Sequence, residues 1–443
     1  MTDTLLVKNG TVVTLGEPNR VLENHSVLCE KGAIKKIGRA AEFKGRYKRT
    51  VDASGKVVLP GFINAHMHFY STMARGLSKA APSKDFNEVL KNLWWRLDKK
   101  LNPDDCYYSA LVPMLDAIRH GTTTLIDHHA SPFAVRGSLS RIAQAVAKTG
   151  LRASLCYEIS DRDGRKVAQD GLDENIEFIR VCEEEKNNHL KALVGLHASF
   201  TVGDETLKKA AEAGHKLGAG FHVHTAEAAT DQEHCLKQHG VRVVERFRRA
   251  GILGPKTICA HCVHLNEHEM DTLSETGTAV AHNPQSNMNN AVGVADILWM
   301  FRKGVLVGLG TDAMTVNMCE EVRAALWVHR LATNNPSVGF TEALSALLFN
   351  NSDIANRYFD PKVGELREGY AADIVCIDYR PPTPFDSRTF LGHFAFGLAH
   401  APVDTTICGG RVLMQKKKLT LDIDEEEVAA KSRELAARLW ERF

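Results

Sequence analysis

The sequence has almost no net charge, because 55 lysines and arginines stand against 54 aspartates and glutamates. A near-neutral surface creates no field that favours nucleic acid or an anionic membrane, so we expect neither as a partner. Long apolar runs are absent too, since none approaches the ~18 residues that a membrane-spanning helix requires. The absence of net charge and of long apolar runs favours an enzyme that acts on small molecules.

Targeting and disulfide signals are also missing. The first residues lack the basic region and apolar core of a signal peptide, and the ten cysteines are scattered without a framework. Cys259 and Cys262 have CxxC spacing, but no second CxxC completes a structural zinc site. We interpret both thiols as ordinary packing residues. The sequence predicts a cytoplasmic protein.

What the sequence does contain is a regular alternation of short apolar runs and helical segments between about residue 60 and about residue 360. The runs cover residues 61–68, 122–129, 152–158, 191–199, 219–227, 256–264, 278–284 and 305–313. Amphipathic segments such as 139–148, 204–216, 231–249 and 294–303 lie between them. Eight strand–helix pairs predict an α/β fold, a (β/α)8 TIM-type barrel. An open doubly wound sheet is the alternative, but no Gly-x-Gly-x-x-Gly follows the first run.

The two flanks have a different pattern. Residues 4–58 and about 364–420, the latter including 364–369, have the composition of short strands separated by turns. We expect these flanks to pair into one small β-sandwich and residues 424–443 to form a terminal helix. The predicted organisation is therefore 1–58 and 361–443 for the sandwich and its helix, and 59–360 for the barrel.

Ionisable side chains mark the carboxyl end of every predicted barrel strand, where such barrels place their chemistry. His66 and His68 are two residues apart and face the same side of the first strand. His224 and Asp312 end the fifth and eighth strands, whereas His222 would lie one layer deeper. Asp312 alone could be a helix N-cap, but the joint occurrence favours a hydrolytic metal site. Because His197, and no lysine, ends the fourth strand, we expect one metal ion.

Several motifs together resemble the amidohydrolase superfamily, in its mononuclear branch of purine, pterin and triazine deaminases. They lie at residues 60–68, 224–227, 260–261, 282–287 and 310–312, with flanking matches at 369–375 and 409–413. The resemblance covers nearly the whole chain. It implies that one divalent ion, zinc foremost with iron as the alternative, is held by His66, His68, His224 and Asp312.

The resemblance also implies roles for the other residues. A metal-bound hydroxide would attack a ring carbon that bears an amino group, after Asp312 accepts the proton of the water. Glu227 would carry a proton to the adjacent ring nitrogen, and His261 would orient the hydroxide or stabilise developing charge. His197 would contact the substrate. The family commonly forms dimers or larger assemblies, so we expect a homo-oligomer.

Some residues admit two interpretations from the sequence. Arg75, in the loop after the first strand, could bind substrate or be an ordinary surface arginine. Trp94 and Trp95 could form an aromatic wall over a planar ring or pack a helix or interface. Of His128 and His129, at most one should point into the pocket.

The sequence thus predicts a metal-dependent aminohydrolase that releases ammonia from an aromatic N-heterocycle such as a purine or pterin. One alternative is hydrolysis of another C–N or C–Cl bond, in a cyclic amide or a triazine, at the same site. The other is a catalytically silent metal-binding protein.

Overall fold

The computed structural model describes residues 4–443, so residues 1–3 of the predicted first segment lie outside the described part. In chain order the strands are β1 Thr4–Val13, β2 Val21–Glu30, β3 Ala33–Arg39, β4 Arg49–Asp52, β5 Val57–Pro60, β6 Phe62–Met67, β7 Thr122–Asp127, β8 Arg152–Leu155, β9 Leu190–Ala192, β10 Val194–Ala198, β11 Phe221–Thr225, β12 Ile258–His261, β13 Ala279–His282, β14 Val307–Leu309, β15 Ile374–Ile377, β16 Val403–Cys408, β17 Arg411–Gln415 and β18 Lys418–Leu419.

Helices lie between most of these strands. They are α1 Phe86–Val89, α2 Trp95–Leu97, α3 Pro103–Arg119, α4 Ser138–Thr149, α5 Arg165–Glu185, α6 Asp204–Leu217, α7 Ala229–His239, α8 Val243–Arg249, α9 Glu267–Thr276, α10 Pro284–Asn289, α11 Ile297–Arg302, α12 Met318–Thr333, α13 Phe340–Ser345, α14 Asn351–Ala355, α15 Phe390–Phe396 and α16 Glu425–Arg442. A π-helical turn, Leu90–Trp94, joins α1 to α2.

The eight predicted runs form one ring of parallel strands. Strands β6 to β9 make one parallel sheet and β10 to β14 another. One residue, Leu193, separates β9 from β10, so these two short strands together occupy the fourth position. The ring closes where Met67 and Asp312 form a parallel bridge between the first and last strands. The predicted TIM-type barrel is confirmed.

Helix α6 illustrates why the connecting segments fold as they do. Its buried residues recur at helical spacing, as Leu207, Ala210, Ala211 and Gly214. That spacing places one apolar stripe against the barrel and leaves the charged residues outside. The helix stops at Gly218, whose φ of 62° is readily available only to glycine.

The flanks pair with each other through β5 and β15, which run antiparallel. Hydrogen bonding is continuous over nine strands, so the predicted sandwich is one sheet that folds over a shared apolar core. No strand forms over 364–369, where the chain makes turns instead. Strand β5 crosses the expected boundary at residue 58 by two residues. The division into three segments stays a prediction.

The C-terminal helix forms as expected, over α16. It packs against α3, burying Leu435 and Leu439. Across residues 4–443, no helix has both the length and the apolarity that crossing a membrane would demand.

A buried ion pair joins the barrel to the flanking sheet. Arg152 on β8 donates through Nε and Nη2 to the carboxylate of Asp373, at 3.1 and 3.2 Å. The backbone N–H of Gly409 donates to the same carboxylate at 2.7 Å. Both charged residues are at most 2% exposed, so each depends on the other for compensation of its charge.

Replacing Asp373 with asparagine should lower the free energy of unfolding by about 3–5 kcal/mol, because it leaves a buried guanidinium without its anion. Denaturant titration followed by circular dichroism measures the change. The control is Glu434→Gln, which removes an exposed partner of Lys431 and should not shift the midpoint. A midpoint for Asp373→Asn equal to that of the unsubstituted protein would contradict this role.

Candidate metal centre and active site

Four side chains converge at the carboxyl ends of the first, fifth and eighth barrel strands. His68 Nε2 lies 3.0 Å from Asp312 Oδ1 and 3.1 Å from His224 Nε2. His66 Nε2 lies 3.4 Å from the same Asp312 oxygen. All four residues are at most 9% exposed. The structure therefore brings together the predicted ligand set, from strands far apart in sequence.

The other nitrogen of each imidazole is already engaged. His68 Nδ1 donates to the carbonyl of His128, and His224 Nδ1 donates to the carbonyl of His197 at 3.0 Å. His66 Nδ1 lies 2.9 Å from Nε2 of His222, the deeper histidine of β11. Because Nδ1 of each ring is engaged, the Nε2 atoms of His66, His68 and His224 are left with lone pairs that point toward one another. Metal-ligating histidines have the same arrangement.

An ion fits this donor set. His66 Nε2 is buried and has no hydrogen-bond partner among the described residues. The ligand atoms of His66, His224, His261 and Asp312 all lie within 4.8 Å of one another. Imidazole nitrogens with one carboxylate oxygen are typical ligands of zinc and of other divalent transition metals.

Glu227 and His261 stand beside this cluster. Glu227 follows β11 by two residues, and its Oε2 lies 3.5 Å from His261 Nε2. The ring of His261 is fixed from behind, where Nδ1 donates to Asn287 Oδ1 at 2.8 Å. Burial, and then the negative charge of Asp312, raise the pKa of Glu227 well above its usual range. The carboxyl is thereby favoured in its protonated form.

The backbone turns sharply at these strand ends. Ala226, His261 and Asp312 have φ values of 48°, 71° and 50°, in the left-handed region that non-glycine residues rarely adopt. Such a conformation costs on the order of 1–3 kcal/mol and persists only where the surrounding structure enforces it. Here it directs three strand ends toward one point.

A pocket opens over the cluster. His197, at the end of β10, lines it, and its Nε2 lies 3.3 Å from Glu158 Oε1. The upper walls are largely apolar and aromatic, formed by Tyr70, Phe86, Leu90, Trp94, Trp95 and Phe200. Both tryptophans thus border the pocket, which suits a planar ring.

Two sequence expectations are resolved by the positions of the side chains. His128 points inward, with its ring 4.7 Å from that of His224. His129 points away, with Nε2 3.0 Å from Ser131 Oγ. Arg75 is exposed and lines a separate groove beside Trp440 of α16. Arg75 lies outside the pocket because the 3-10 helix Phe69–Ala74 carries the chain past the pocket before Arg75 is reached. A role for Arg75 in substrate binding stays a prediction.

Sequence reasoning did not assign a role to three charged residues that line the pocket, Glu158, Arg162 and Asp231. Arg162 pairs with buried Asp98 and its guanidinium lies 5.4 Å from the Trp95 ring. Glu158 was visible as a strand-end residue, but no spacing connected it to its neighbours. Arg162 lies in a loop, where neither period nor motif identified it.

Comparison with known proteins adds to this geometry. A family model described as Amidohydrolase family matches residues 57–413. The chain belongs to the amidohydrolase family. It is 31% identical to a 5-methylthioadenosine/S-adenosylhomocysteine deaminase from Pelotomaculum thermopropionicum, over 99% of both chains.

Two solved structures share the fold. One is a zinc-bound adenosine deaminase from Xanthomonas campestris, with a TM-score of 0.86 and 23% identity over 98% of each chain. The other is an atrazine chlorohydrolase from Arthrobacter aurescens complexed with zinc, with a TM-score of 0.82 and 22% identity over 98% of this chain and 100% of that one. Membership of this family identifies the protein as a hydrolase of carbon–nitrogen bonds.

Proposed function

We propose that the protein is a metal-dependent deaminase of a purine-type ring, with His66, His68, His224 and Asp312 holding one divalent ion, zinc foremost. The observation that carries the proposal is Glu227, a buried carboxyl that faces the ligand cluster from the pocket. A binding site alone has no need of a second, protonated carboxyl there. The deaminase relative at 31% identity over 99% of the chain supports the same reaction.

A divalent ion at this site would lower the pKa of a bound water toward ~7 and so supply a nucleophile at neutral pH. The side chains then have separate tasks. Asp312 can accept the proton of the water, since Ser286 Oγ donates to its Oδ2 and holds the carboxylate in place. His261 is fixed by Asn287, so its Nε2 can orient the nucleophile or stabilise developing charge.

Glu227 is placed to move the proton that the ring requires. Amino-group departure from an aromatic ring needs protonation of the adjacent ring nitrogen, and a protonated carboxyl can supply it. Asn290 Nδ2 lies 3.5 Å from Glu227 Oε1 and helps to set its direction. The aromatic walls of the pocket and His197 would hold the heterocycle flat next to Glu227. The ring centroids of Trp95 and His197 lie 6.2 Å apart.

A screen for ammonia release tests the proposal. Zinc-loaded protein is incubated with adenosine, 5-methylthioadenosine, S-adenosylhomocysteine, guanine, 8-oxoguanine, pterins, cytosine and aminotriazines. We expect ammonia in equal amount to a hydroxylated ring product from at least one purine-type compound. Ring opening or chloride release from a chlorinated triazine, without ammonia, would instead support hydrolysis of another bond. Failure of every amine by fully metallated protein would overturn the proposal.

A further inference from the structure

Much of the aromatic wall of the pocket is built on one long loop and not on the barrel strands. Tyr70, Trp94 and Trp95 all lie between β6 and α3, in residues 68–102. The helical segments of this loop contain six residues or fewer. Isolated helices this short are marginal in water, so their positions depend on contacts with other parts of the chain. Contacts from outside the loop must therefore hold the wall over the metal centre.

The end of the C-terminal helix, residues 439–443, which we call the terminal turn, contacts the first half of this loop. Trp440 Nε1 donates to the carbonyl oxygen of Met73 at 2.7 Å. Met73 is 1% exposed and belongs to the 3-10 helix that also carries Tyr70. The Tyr70 ring centroid lies 5.4 Å from that of His68. The hydrogen bond from Trp440 therefore fixes the backbone of the segment that joins a proposed metal ligand to the pocket wall.

The terminal turn also contacts the second half of the loop. Arg96 Nη2 donates to the carbonyl oxygen of Phe443 at 2.7 Å, and the guanidinium lies 4.1 Å from the centroid of the Phe443 ring. Arg96 directly follows Trp95 on α2. A hydrogen bond from a charged donor and a cation–π contact thus act on the same pair of residues. This pair attaches the segment that carries both pocket tryptophans to the C-terminal helix.

Apolar packing connects the two attachments. Leu439 is 0% exposed and belongs to one buried cluster with Tyr70, Met73 and Leu97, against which Trp94 packs. The rings of Tyr70 and Trp94 meet edge to face, with 6.1 Å between their centroids. The aromatic wall therefore has the pocket on one side and the C-terminal helix on the other.

We propose that the terminal turn positions the aromatic wall for substrate binding, through Trp440 and Arg96. The inference rests on the proposed function, which assigns this wall to the heterocycle. Neither residue lines the pocket, so each acts through a neighbour, Trp440 through Met73 and Arg96 through Trp95. Weakening either contact loosens the wall and leaves the four proposed metal ligands in place. Substrate binding should then suffer more than the chemical step.

Hydrogen–deuterium exchange of the zinc-loaded protein tests the inference without any substrate. Mass spectrometry follows peptides from residues 68–102 and from strands β10 to β13. We expect Arg96→Gln and Trp440→Phe each to speed exchange over residues 68–102 by about 10-fold, because the lost contacts oppose local opening. The barrel strands should exchange as before. The matched controls are Arg388→Gln and Trp327→Phe, which change an exposed arginine and an exposed tryptophan elsewhere and should alter neither region.

Kinetics of ammonia release, with the purine-type compound that reacts fastest in the screen, separate positioning from general damage. We expect KM to rise about 10-fold in both variants with kcat and zinc content nearly unchanged, as for a loss of uniform binding. Arg96→Lys keeps a cation beside the Phe443 ring and should recover part of the loss. Unaltered exchange over residues 68–102, or a lower kcat at unchanged KM, would overturn the inference. Because exchange is measured without turnover, that first result would leave the proposed deamination standing, and a failure of deamination would leave the exchange test valid.

Discussion

Replacing Glu227 with glutamine should lower kcat for ammonia release by at least about 100-fold, because proton transfer by a positioned side chain contributes ~10²–10⁴. Glutamine keeps the shape of the side chain and can still accept from Asn290, but it has no acidic proton to donate. The metal content should be unchanged, since Glu227 is not among the proposed ligands. Initial rates of ammonia release, with metal analysis of the same preparation, measure both quantities.

The matched control is Glu233→Gln, an exposed position on α7, which should leave kcat unaltered. A loss of rate in Glu227→Gln together with loss of metal would mean that the carboxyl acts as a ligand. An unaltered rate of ammonia release would remove the proton-transfer role from Glu227. The substitution therefore separates three roles of this carboxyl: proton transfer, metal ligation and no part in the reaction.

The barrel, and the meeting of the proposed ligands, were predictable because each depends on a local pattern. Every strand is a short apolar run, and His66 and His68 are neighbours on one strand face. His224 and Asp312 each follow a run, so a barrel alone suffices to bring them near the pair. The predicted bounds of the connecting helices were less exact. The segment 231–249 divides into α7 and α8 because Gly240, with a φ of 67°, ends the first helix.

The rest of the pocket could not be predicted, because it depends on contacts between distant loops. Glu158 meets His128 and His197 only through the packing of three strand ends, because it lies 30 positions after His128 and 39 positions before His197. Arg75 is a second example: its position near a motif left a substrate contact and a surface position both open, and the intervening 3-10 helix places it beside another groove. The number of residues between a motif and a side chain does not show where a short helix redirects the backbone between them.

Replacing His68 with alanine should remove the ion from the His66, His224 and Asp312 site and with it the reaction. His68 Nε2 is within 3.1 Å of two other proposed ligands, so it lies at the centre of the cluster. Loss of an outer-shell partner alone costs about 10–100-fold in metal affinity, and loss of a direct ligand should exceed that. Zinc affinity from competition with a chromogenic chelator, and ammonia release at limiting zinc, measure the effect.

His268→Ala is the control, because His268 is an exposed histidine on α9 outside the pocket. It should bind zinc and release ammonia as the unsubstituted protein does. Restoring activity to His68→Ala with excess zinc would show that the residue binds metal and is not otherwise needed for the reaction. Unchanged zinc affinity in His68→Ala would contradict the ligand set itself. The proposed deamination would then have no metal-bound nucleophile at this cluster. The proposed roles of Glu227 and His261 would fail with it, because both side chains are positioned beside the same four residues.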